Sequence, residues 1–442
     1  MRYAQVMAHA WLQEIRLERF KSYHDAIIPL ENLAVLTGRN SSGKSNIFDA
    51  IEVLSRVCGT ESLADALDGR SRGRTPVRGG ARGCAPFGES TFAIGCLIAV
   101  DDGAEIEYSI TIEVEPYLRV VKERMEARHP ELRNVLFEAE DGQQGSLRVV
   151  YSNGRRGTNP STHVRDDRSV LGQLTKSVLA ETETVRRLLT SAAVVVATLS
   201  NTFHLDPVPQ LMREYTAPHE SRLRRNGENL AAACLALRES DPERFDRLEG
   251  LVRTVADCDV AKLDFSRTDE DQVMLALVDG EGRRTTARLM SDGLLRFIAV
   301  ATALMTASTS LDVDPSAAVV GDSHAASGVL LAIEEIENGL HPSHAALLLD
   351  LVEDAASEPG VVVLITTHSP ALLDHIEGSL MKDVWVSHAG RVTRLTELPG
   401  YAQAMARGPL GSVVSQGELV SGSEPVAAND YSAFLRLIGA EA

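Results

Sequence analysis

The chain changes its pattern of apolar and polar positions several times along its length. Near the amino terminus, the apolar run Leu33–Leu36 leads into a glycine-rich turn and then a helix whose apolar face includes Ile47 and Leu54. Residues 91–151 are rich in strand-forming residues, and 105–114 alternate apolar and polar side chains as a half-buried antiparallel strand does. The amino-terminal part therefore combines a strand–turn–helix unit with an antiparallel sheet.

The rest of the chain is first helical in pattern and then returns to strands. Residues 168–262 are mostly helical, and none of their periodic stretches sustains heptads over the length of a coiled coil. A strand is predicted at Val273–Val278 and an apolar helix at Leu294–Met305. Val329–Ile333 and Val361–Ile365 are short, wholly apolar runs with a helix between them, which is typical of parallel strands buried on both faces.

Two segments have a weaker pattern. Residues 309–328 are rich in Ser, Ala, Asp and Gly and are interpreted as a loop insertion. The last residues predict only a short helix near Tyr431–Ile438.

Composition indicates an ordinary soluble globular protein, with 44% hydrophobic and 24% charged residues. The longest apolar run is too short to span a bilayer, and the first residues lack a signal-peptide pattern, so we expect a cytoplasmic protein without membrane contact. The five scattered cysteines form neither a disulfide framework nor a CxxC pair, which fits a reducing compartment. The net charge of −18 argues against a surface that coats nucleic acid but leaves room for a local basic groove.

Residues 69–83 (GRSRGRTPVRGGARG) carry five arginines among glycines. One interpretation is a surface loop with solubilising charge, and the other is a contact to nucleic acid or to a partner. No aromatic residue interrupts the run, so we do not expect a base-stacking platform.

The strongest chemical signal is GRNSSGKS at residues 38–45, a full GxxxxGK[ST] sequence between a strand and a helix. Successive backbone N–H groups of such a loop wrap phosphates, and its glycines allow the backbone to approach closely. Lys44 is expected to reach the β- and γ-phosphates of ATP, and Ser45 to bind Mg²⁺. The predicted ATP-binding residues of this loop are Gly38, Arg39, Asn40, Ser41, Ser42, Gly43, Lys44, Ser45 and Asn46.

Two acids, Glu334 and Glu335, end the buried strand that begins at Val329. ATP hydrolysis needs one carboxylate near Mg²⁺ and another that orients and deprotonates the attacking water. Because neighbouring strand side chains point opposite ways, two adjacent acids can supply both the carboxylate near Mg²⁺ and the one that acts on the water. We assign Glu334 to Mg²⁺, through water, and Glu335 to the general base. By itself, an acidic pair at the end of a strand is also a common structural feature.

Two further candidates follow from position. His368 comes after the strand Val361–Ile365, where it is expected to lie beside Glu335 and to hydrogen-bond the γ-phosphate and the attacking water. A structural role is the alternative for this histidine. Ser291-Asp292-Gly293 begin the apolar helix, and such a turn is either a weak anion site or a plain helix cap.

In this order, the motifs resemble the ABC ATPase superfamily and, within it, the SMC/RecF/OLD group, especially its small bacterial AAA_21-type members. The resemblance covers roughly residues 11–395 and rests on the stretches Leu17–Tyr23, Gly38–Asn46, Leu223–Leu230, Ser291–Phe297, Ile333–Pro342 and Thr366–Pro370. It implies an α/β fold: an ABC-type ATPase head with a mixed β-sheet core that carries the P-loop, an antiparallel β subdomain and a helical insertion.

The resemblance also implies a role for each motif. Gly38, Gly43, Lys44 and Ser45 match Walker A, Glu334 and Glu335 match the Walker B acid and catalytic glutamate, His368 matches the switch histidine, and Asn338–Pro342 match the D-loop. Ser291, Asp292 and Gly293 match the signature motif, which contacts the γ-phosphate bound by the other subunit. The expected active form is therefore a homodimer whose heads sandwich two ATP molecules, with Lys44, Glu335 and His368 as catalytic residues.

Several departures from the family pattern limit the expected function. Ile336 replaces the usual proline after the two acids, and no Q-loop glutamine stands out. Without a long coiled coil or a zinc hook, tethering of distant DNA is not expected. The residues after His368 are too few for the TOPRIM nuclease of OLD proteins, so we expect any nuclease or toxin effector to be separately encoded.

These features predict four regions. They are 11–165 (first half of the head), 166–262 (mainly helical insertion), 263–395 (second half, with signature, Walker B and switch histidine) and 396–442 (tail).

Two functions fit this organisation. The first is an ATPase that acts on or near DNA in phage defence or DNA repair, together with a separate effector. The second is a nucleotide-switched scaffold that holds a partner protein without touching DNA. A membrane-transporter subunit fits less well, because such subunits lack a long helical insertion before the signature.

Overall fold

The computed structural model describes residues 9–59, 61–70, 75–101, 103–129, 132–142, 145–256, 258–313 and 326–415. The strands are β1 (His9–Phe20), β2 (Tyr23–Pro29), β3 (Leu33–Thr37), β4 (Thr91–Val100), β5 (Glu105–Glu113), β6 (Arg119–His129), β7 (Leu132–Asp141), β8 (Ser146–Tyr151), β9 (Ser161–Arg165), β10 (Thr202–Leu205), β11 (Lys262–Arg267), β12 (Val273–Val278), β13 (Arg284–Thr286), β14 (Ala326–Ser327), β15 (Val329–Ile333), β16 (Val361–Thr366), β17 (Val384–His388) and β18 (Arg391–Arg394).

The α-helices are α1 (Lys44–Val57), α2 (Leu63–Asp68), α3 (Leu171–Ser177), α4 (Glu183–Ser200), α5 (Pro209–Met212), α6 (Leu230–Ser240), α7 (Pro242–Val255), α8 (Asp292–Met305), α9 (Ala345–Ala356), α10 (Pro370–Leu373), α11 (Tyr401–Met405) and α12 (Leu410–Ser415).

A mostly parallel sheet forms the centre of the molecule, in the order β10-β15-β16-β3-β17-β18. The first five strands run parallel, and β18 pairs antiparallel with β17. Its strands are short and apolar because both faces are covered: Leu33 and Val35 pack into one core, and Ala34 and Leu36 into the other. This arrangement confirms the parallel strands predicted from the two apolar runs.

A second sheet contains the antiparallel subdomain, in the order β14-β1-β4-β5-β6-β7-β8-β9 with β2 paired to β1. Within it, β5 buries alternate residues, as its sequence predicts. A third sheet, β11-β12-β13, lies before the apolar helix α8. The predicted α/β fold, with a mixed central sheet that leads into the P-loop and a separate antiparallel subdomain, is thereby confirmed.

Helices cover both faces of the central sheet. On one face, α1 buries Ile47, Ile51 and Leu54 against β1 and the neighbouring strands. On the other face, α6, α8 and α9 share a second core, and α8 is buried along most of its length. Among the described helices, none has both the length and the apolar composition that are needed to cross a bilayer.

The segment 166–262 differs from a purely helical insertion. Most of it is helical, yet it also contributes β10, which pairs in parallel with β15 in the central sheet. Four strand residues directly after the long helix α4 are too few for a period of two to stand out. The segment is therefore tied to the central sheet, and the four-region division of the chain stays a prediction.

Other expectations fall partly or wholly outside the described residues. Of the predicted 309–328 insertion, 314–325 lie outside, and Ala326–Ser327 pair with β1. The helix predicted at Tyr431–Ile438 also lies outside.

Candidate functional site

The glycine-rich loop between β3 and α1 needs its glycines for steric reasons. Gly38 and Gly43 have φ values of +141° and +104°, which L side chains rarely adopt. A Cβ on Gly38 would lie 2.4 Å from the Ser387 carbonyl oxygen, and one on Gly43 would lie 2.7 Å from Ser22 Oγ. Neighbouring backbone and side chains therefore enclose the loop closely.

Strand β17 is hydrogen-bonded to the glycine-rich loop. The Ser387 hydroxyl donates a 2.9 Å hydrogen bond to the Ser42 carbonyl and lies 3.0 Å from the buried Tyr23 hydroxyl. The loop is thus held by the strand beside β3 as well as by its own turn. Arg39, Asn40 and Ser41 lie exposed at its tip.

Lys44 is 6% exposed and begins α1. Its ammonium donates to the carbonyls of Gly38 at 2.9 Å and Arg39 at 3.1 Å. Burial lowers the pKa of Lys44 to about 8, while Glu335 and then Glu334 act in the opposite direction. The cation therefore lies inside the loop and within electrostatic reach of both acids.

Ser45, the residue after Lys44, contacts Glu334. The Ser45 hydroxyl donates a 2.8 Å hydrogen bond to Glu334 Oε2. A hydroxyl and a carboxylate oxygen at this distance are the oxygen ligands that Mg²⁺ prefers, and Mg²⁺ commonly takes only one or two protein ligands with the rest from phosphate and water. Within the described ranges, no group of three or more His, Cys, Asp and Glu side chains could hold a metal by itself. The pair therefore fits a metal that arrives with a nucleotide.

Glu335 has a constrained backbone. Strand β15 ends at Ile333, and Glu335 has φ +46° in the left-handed region. Its N–H donates a 2.8 Å hydrogen bond to Thr366 Oγ1 on the adjacent strand β16. Both acids therefore lie in the bend that follows β15, where Thr366 holds the backbone of Glu335, and not in the strand itself as the sequence suggested. Backbone strain of this kind is concentrated at functional sites.

His368 follows β16 at the same edge of the sheet. Its N–H donates a 2.7 Å hydrogen bond to Glu337 Oε1. Burial lowers the pKa of His368, Lys44 lowers it further, and Glu337 and Glu335 oppose them. The lowered pKa favours the neutral imidazole, which can both donate and accept a hydrogen bond. The sheet topology brings Lys44, Ser45, Glu334, Glu335 and His368 together.

The predicted signature residues, Ser291, Asp292 and Gly293, contact parts of the chain other than the P-loop. Ser291 caps α8 by accepting a 3.2 Å hydrogen bond from Leu294 N–H, and Asp292 pairs with Arg213 at 2.5 Å. A Cβ on Gly293 would lie 1.9 Å from the Gly339 carbonyl oxygen, so α8 begins in backbone contact with the 338–342 turn. The described contacts of these three residues lead to that turn and to Arg213, rather than to their own P-loop.

His204 is a site residue that sequence reasoning missed. It lies on β10, where its Nε2 is 3.8 Å from Glu334 Oε1 and its ring centroid is 5.1 Å from that of Phe48. Burial lowers the pKa of His204, and Glu334 opposes this. The available signal was the sequence Thr-Phe-His-Leu before Asp206-Pro207, a short strand followed by a turn.

The arginine-rich loop contacts acids of its own chain. Arg78 pairs with Asp49 of α1 at 2.5 Å, and Arg82 pairs with Glu115 at 2.8 Å. Arg70 lies 3.7 Å from Asp68. Residues 71–74, with the other two arginines, lie outside the described residues.

Comparisons with known proteins give the following matches. The family model AAA_21, described as "AAA domain, putative AbiEii toxin, Type IV TA system", matches residues 33–170 and 176–374. A comparison with curated proteins finds no match.

Three SMC head domains are similar among solved structures. One is bound to the C-winged helix domain of ScpA, with 12% identity over 87% of this chain and 96% of that chain and a TM-score of 0.42. A second, from Thermotoga maritima, has 11% identity over 87% and 98%, with a TM-score of 0.37. A third, with an extended coiled coil and bound to the C-terminal domain of ScpA derived from Pyrococcus furiosus, has 13% identity over 90% and 99%, with a TM-score of 0.40.

Proposed function

The chain belongs to the AAA_21 family of ATPases, and from this premise we propose that it hydrolyses ATP as an ABC-type head that works as a homodimer. The observation that carries the proposal is the hydrogen bond between Ser45 and Glu334, which joins the phosphate-binding loop to the acidic pair. Glu335 and His368 complete the group at the same edge of the sheet.

Each residue has a distinct task in this proposal. The N–H groups of loop 38–45 and the Lys44 ammonium bind the phosphates, and the ammonium exchanges its hydrogen bonds to the loop carbonyls for phosphate oxygens. Ser45 and Glu334 hold Mg²⁺, which supplies charge neutralisation at the β- and γ-phosphates when it is bound. Glu335 orients and deprotonates the attacking water, and the neutral His368 hydrogen-bonds that water and the γ-phosphate.

The dimer rests on the position of the signature residues. Ser291, Asp292 and Gly293 begin a helix, and their described contacts leave them away from the P-loop of their own chain. A helix start of this kind binds anions through its free N–H groups, so it suits the γ-phosphate of ATP held by a second copy. Each active site then needs both chains.

The ATPase proposal is tested by phosphate release and nucleotide binding. Lys44→Ala is expected to lose both, whereas Lys176→Ala, an exposed lysine on α3, keeps wild-type values. Turnover by Lys44→Ala at the wild-type rate would overturn the assignment of the site. Composite sites are tested by mixing Ser291→Arg with Lys44→Ala: some activity returns if each mixed dimer keeps one intact site, and none returns if each chain works alone.

For the biological role, we propose action in phage defence or DNA repair together with a separately encoded nuclease or toxin. The family description, which names a toxin–antitoxin system, supports the defence context. DNA is the candidate trigger, and duplex, single-stranded or broken DNA should then raise the rate of ATP turnover. If none of the three forms of DNA changes the rate of ATP turnover, the proposed role in phage defence or DNA repair is contradicted.

The alternative is a nucleotide-switched scaffold that holds a protein partner and contacts no DNA. Two observations favour it. The described arginines of the 69–83 loop pair with acids of the same chain, and the net charge is −18. ATP-dependent co-purification of a neighbouring gene product, without DNA stimulation, would support this alternative over the first.

A further inference from the structure

A third acid, Glu337, lies at the proposed ATPase site and has no task in the assignments above. It follows Glu335 by two residues, in the turn after β15, and it is half-buried. Its Oε1 accepts the 2.7 Å hydrogen bond from the His368 N–H, a contact between residues 31 positions apart. The Glu337 carboxylate therefore contacts the backbone of the histidine that was predicted to contact the attacking water.

Three hydrogen bonds join the turn after β15 to the end of β16. Glu335 N–H donates to Thr366 Oγ1 at 2.8 Å, and Ile336 N–H donates to the Thr366 carbonyl at 3.2 Å. These two bonds hold the backbone of the acidic turn on Thr366. The third bond runs in the opposite direction, from His368 N–H to Glu337, and of the three it is the one that holds His368. The position of His368 relative to Glu335 therefore depends on the Glu337 side chain.

The second oxygen of the Glu337 carboxylate is enclosed without a donor. Glu337 Oε2 has almost no contact with solvent and no hydrogen-bond partner among the described residues. Such an oxygen costs free energy, and most buried polar atoms in native proteins are paired. The same turn also contains the left-handed backbone of Glu335. Two unfavourable features in one short turn indicate a conformation that serves function rather than stability.

The charge of Glu337 acts on both basic groups of the site. Burial lowers the pKa of Lys44 and that of His368, and Glu337 opposes this effect at both residues. The carboxylate therefore lies within electrostatic reach of the lysine that is proposed to bind phosphate. A negative charge there opposes the binding of an anion, so Glu337 adds nothing to ATP affinity. Any benefit from this acid is expected in the rate of hydrolysis.

We propose that Glu337 is a positioning residue for ATP hydrolysis. Its Oε1 holds the backbone of His368 so that the imidazole faces the water on which Glu335 acts. The proposal rests on the ATPase function proposed above and adds to it a third acid, which acts through His368 and not on the substrate itself.

The first test separates turnover from ATP binding. Glu337→Ala removes the acceptor for the His368 N–H, and we expect kcat to fall about 10- to 100-fold. The Kd for a fluorescent ATP analogue should be unchanged or lower, because a negative charge near Lys44 has been removed. Glu270→Ala, an exposed acid after β11, is the control and should match wild type in both measurements. Wild-type kcat in Glu337→Ala, or a loss of ATP binding as large as the loss of turnover, would overturn the proposal.

Two further variants test whether Glu337 acts through His368. Glu337→Gln keeps an oxygen that can accept the hydrogen bond, so kcat should recover to within about threefold of wild type. In Glu337→Ala combined with His368→Ala, kcat should be no lower than in His368→Ala alone, since the two residues act as a unit. A Gln variant as slow as the Ala variant, or a double variant in which the two losses multiply, would contradict the proposal.

The same measurements distinguish this proposal from the ATPase proposal. Turnover by Lys44→Ala at the wild-type rate would mean that the ATPase site is wrongly assigned. Full turnover by Glu337→Ala beside an inactive Lys44→Ala would mean that only the role of Glu337 is wrong. If circular dichroism shows that Glu337→Ala does not fold, Glu337→Asp takes its place. Its shorter stem withdraws the acceptor from the His368 N–H, so a lower kcat is expected, and an unchanged kcat would contradict the role of Glu337.

Discussion

Ser45 Oγ donates a 2.8 Å hydrogen bond to Glu334 Oε2, although the two residues are 289 positions apart in the chain. The parallel order of β15, β16 and β3 places the carboxyl ends of these strands at one edge of the sheet. The P-loop, the acidic pair and His368 each follow one of these strands. The central sheet therefore forms the site by bringing together residues that are far apart in the sequence.

If Ser45 and Glu334 hold Mg²⁺, loss of the Glu334 charge should reduce turnover more than nucleotide binding. We expect Glu334→Gln to lower kcat about 100-fold and to require more Mg²⁺ for half-maximal rate. Steady-state phosphate release over a Mg²⁺ titration measures both. Glu239→Gln, an exposed acid at the end of α6, is the control and should behave as wild type. An unchanged Mg²⁺ requirement would remove Glu334 from the metal site.

His204 lies beside Glu334 and should help to hold that carboxylate in place. His204→Phe keeps an aromatic ring against Phe48 but removes the nitrogen that lies 3.8 Å from Glu334. We expect ATP turnover to fall about tenfold with ATP affinity and thermal stability little changed. His24→Phe, at an exposed position on β2, serves as the control. Full activity in His204→Phe would mean that the histidine only packs.

The contact between Gly293 and Gly339 leaves no room for a side chain. Since a Cβ on Gly293 would lie 1.9 Å from the Gly339 carbonyl oxygen, Gly293→Ala must displace the 338–342 turn. We expect a loss of about 1–3 kcal/mol in the free energy of unfolding and a lower rate of ATP turnover. Gly250→Ala in α7 is the matched control, because nothing lies within 4 Å of its added Cβ. Denaturant unfolding of both variants measures the difference, and equal stability of the two would contradict the contact.

Glu123 makes stability depend on pH. This carboxyl is 0% exposed, accepts hydrogen bonds from Val170 N–H at 2.7 Å and Leu171 N–H at 3.2 Å, and receives one from Tyr108. Burial raises the pKa of Glu123 from 4.5 to about 7. Between these values the folded chain keeps a proton that the unfolded chain releases, so stability falls as pH rises from 4.5 to 7 and stays constant above it.

The stability that the protein loses between pH 4.5 and pH 7 amounts to about 3 kcal/mol, and the Glu123→Gln variant should not show this loss. The free energies of unfolding of wild type and variant, measured from pH 5 to pH 8, should therefore shift in favour of the variant as pH rises. Parallel curves for the two proteins would mean that Glu123 titrates normally.

The local sequence predicted those parts of the site that depend on neighbouring residues. The strand Leu33–Leu36, the P-loop glycines and the apolar runs before Glu334 and His368 carry their own patterns, and the structure brings the residues together as expected. Thr202–Leu205 was missed because four residues show no clear period, and with it His204. Glu123 looks like an ordinary surface acid in Lys122-Glu123-Arg124, since its partners Tyr108, Val170 and Leu171 are distant in the sequence. The left-handed backbone of Glu335 depends on Thr366, a residue of the next strand, and no local pattern contains it.

The most direct measurement of the central proposal is the mass of Glu335→Gln in solution with and without Mg-ATP, by analytical ultracentrifugation. Removing the general base should allow ATP to bind without being hydrolysed, so the two-chain form accumulates. We expect one chain without nucleotide, two chains with saturating ATP, and one chain in both conditions for Glu335→Gln combined with Lys44→Ala. A Glu335→Gln protein that stays monomeric at saturating ATP would contradict the shared active site.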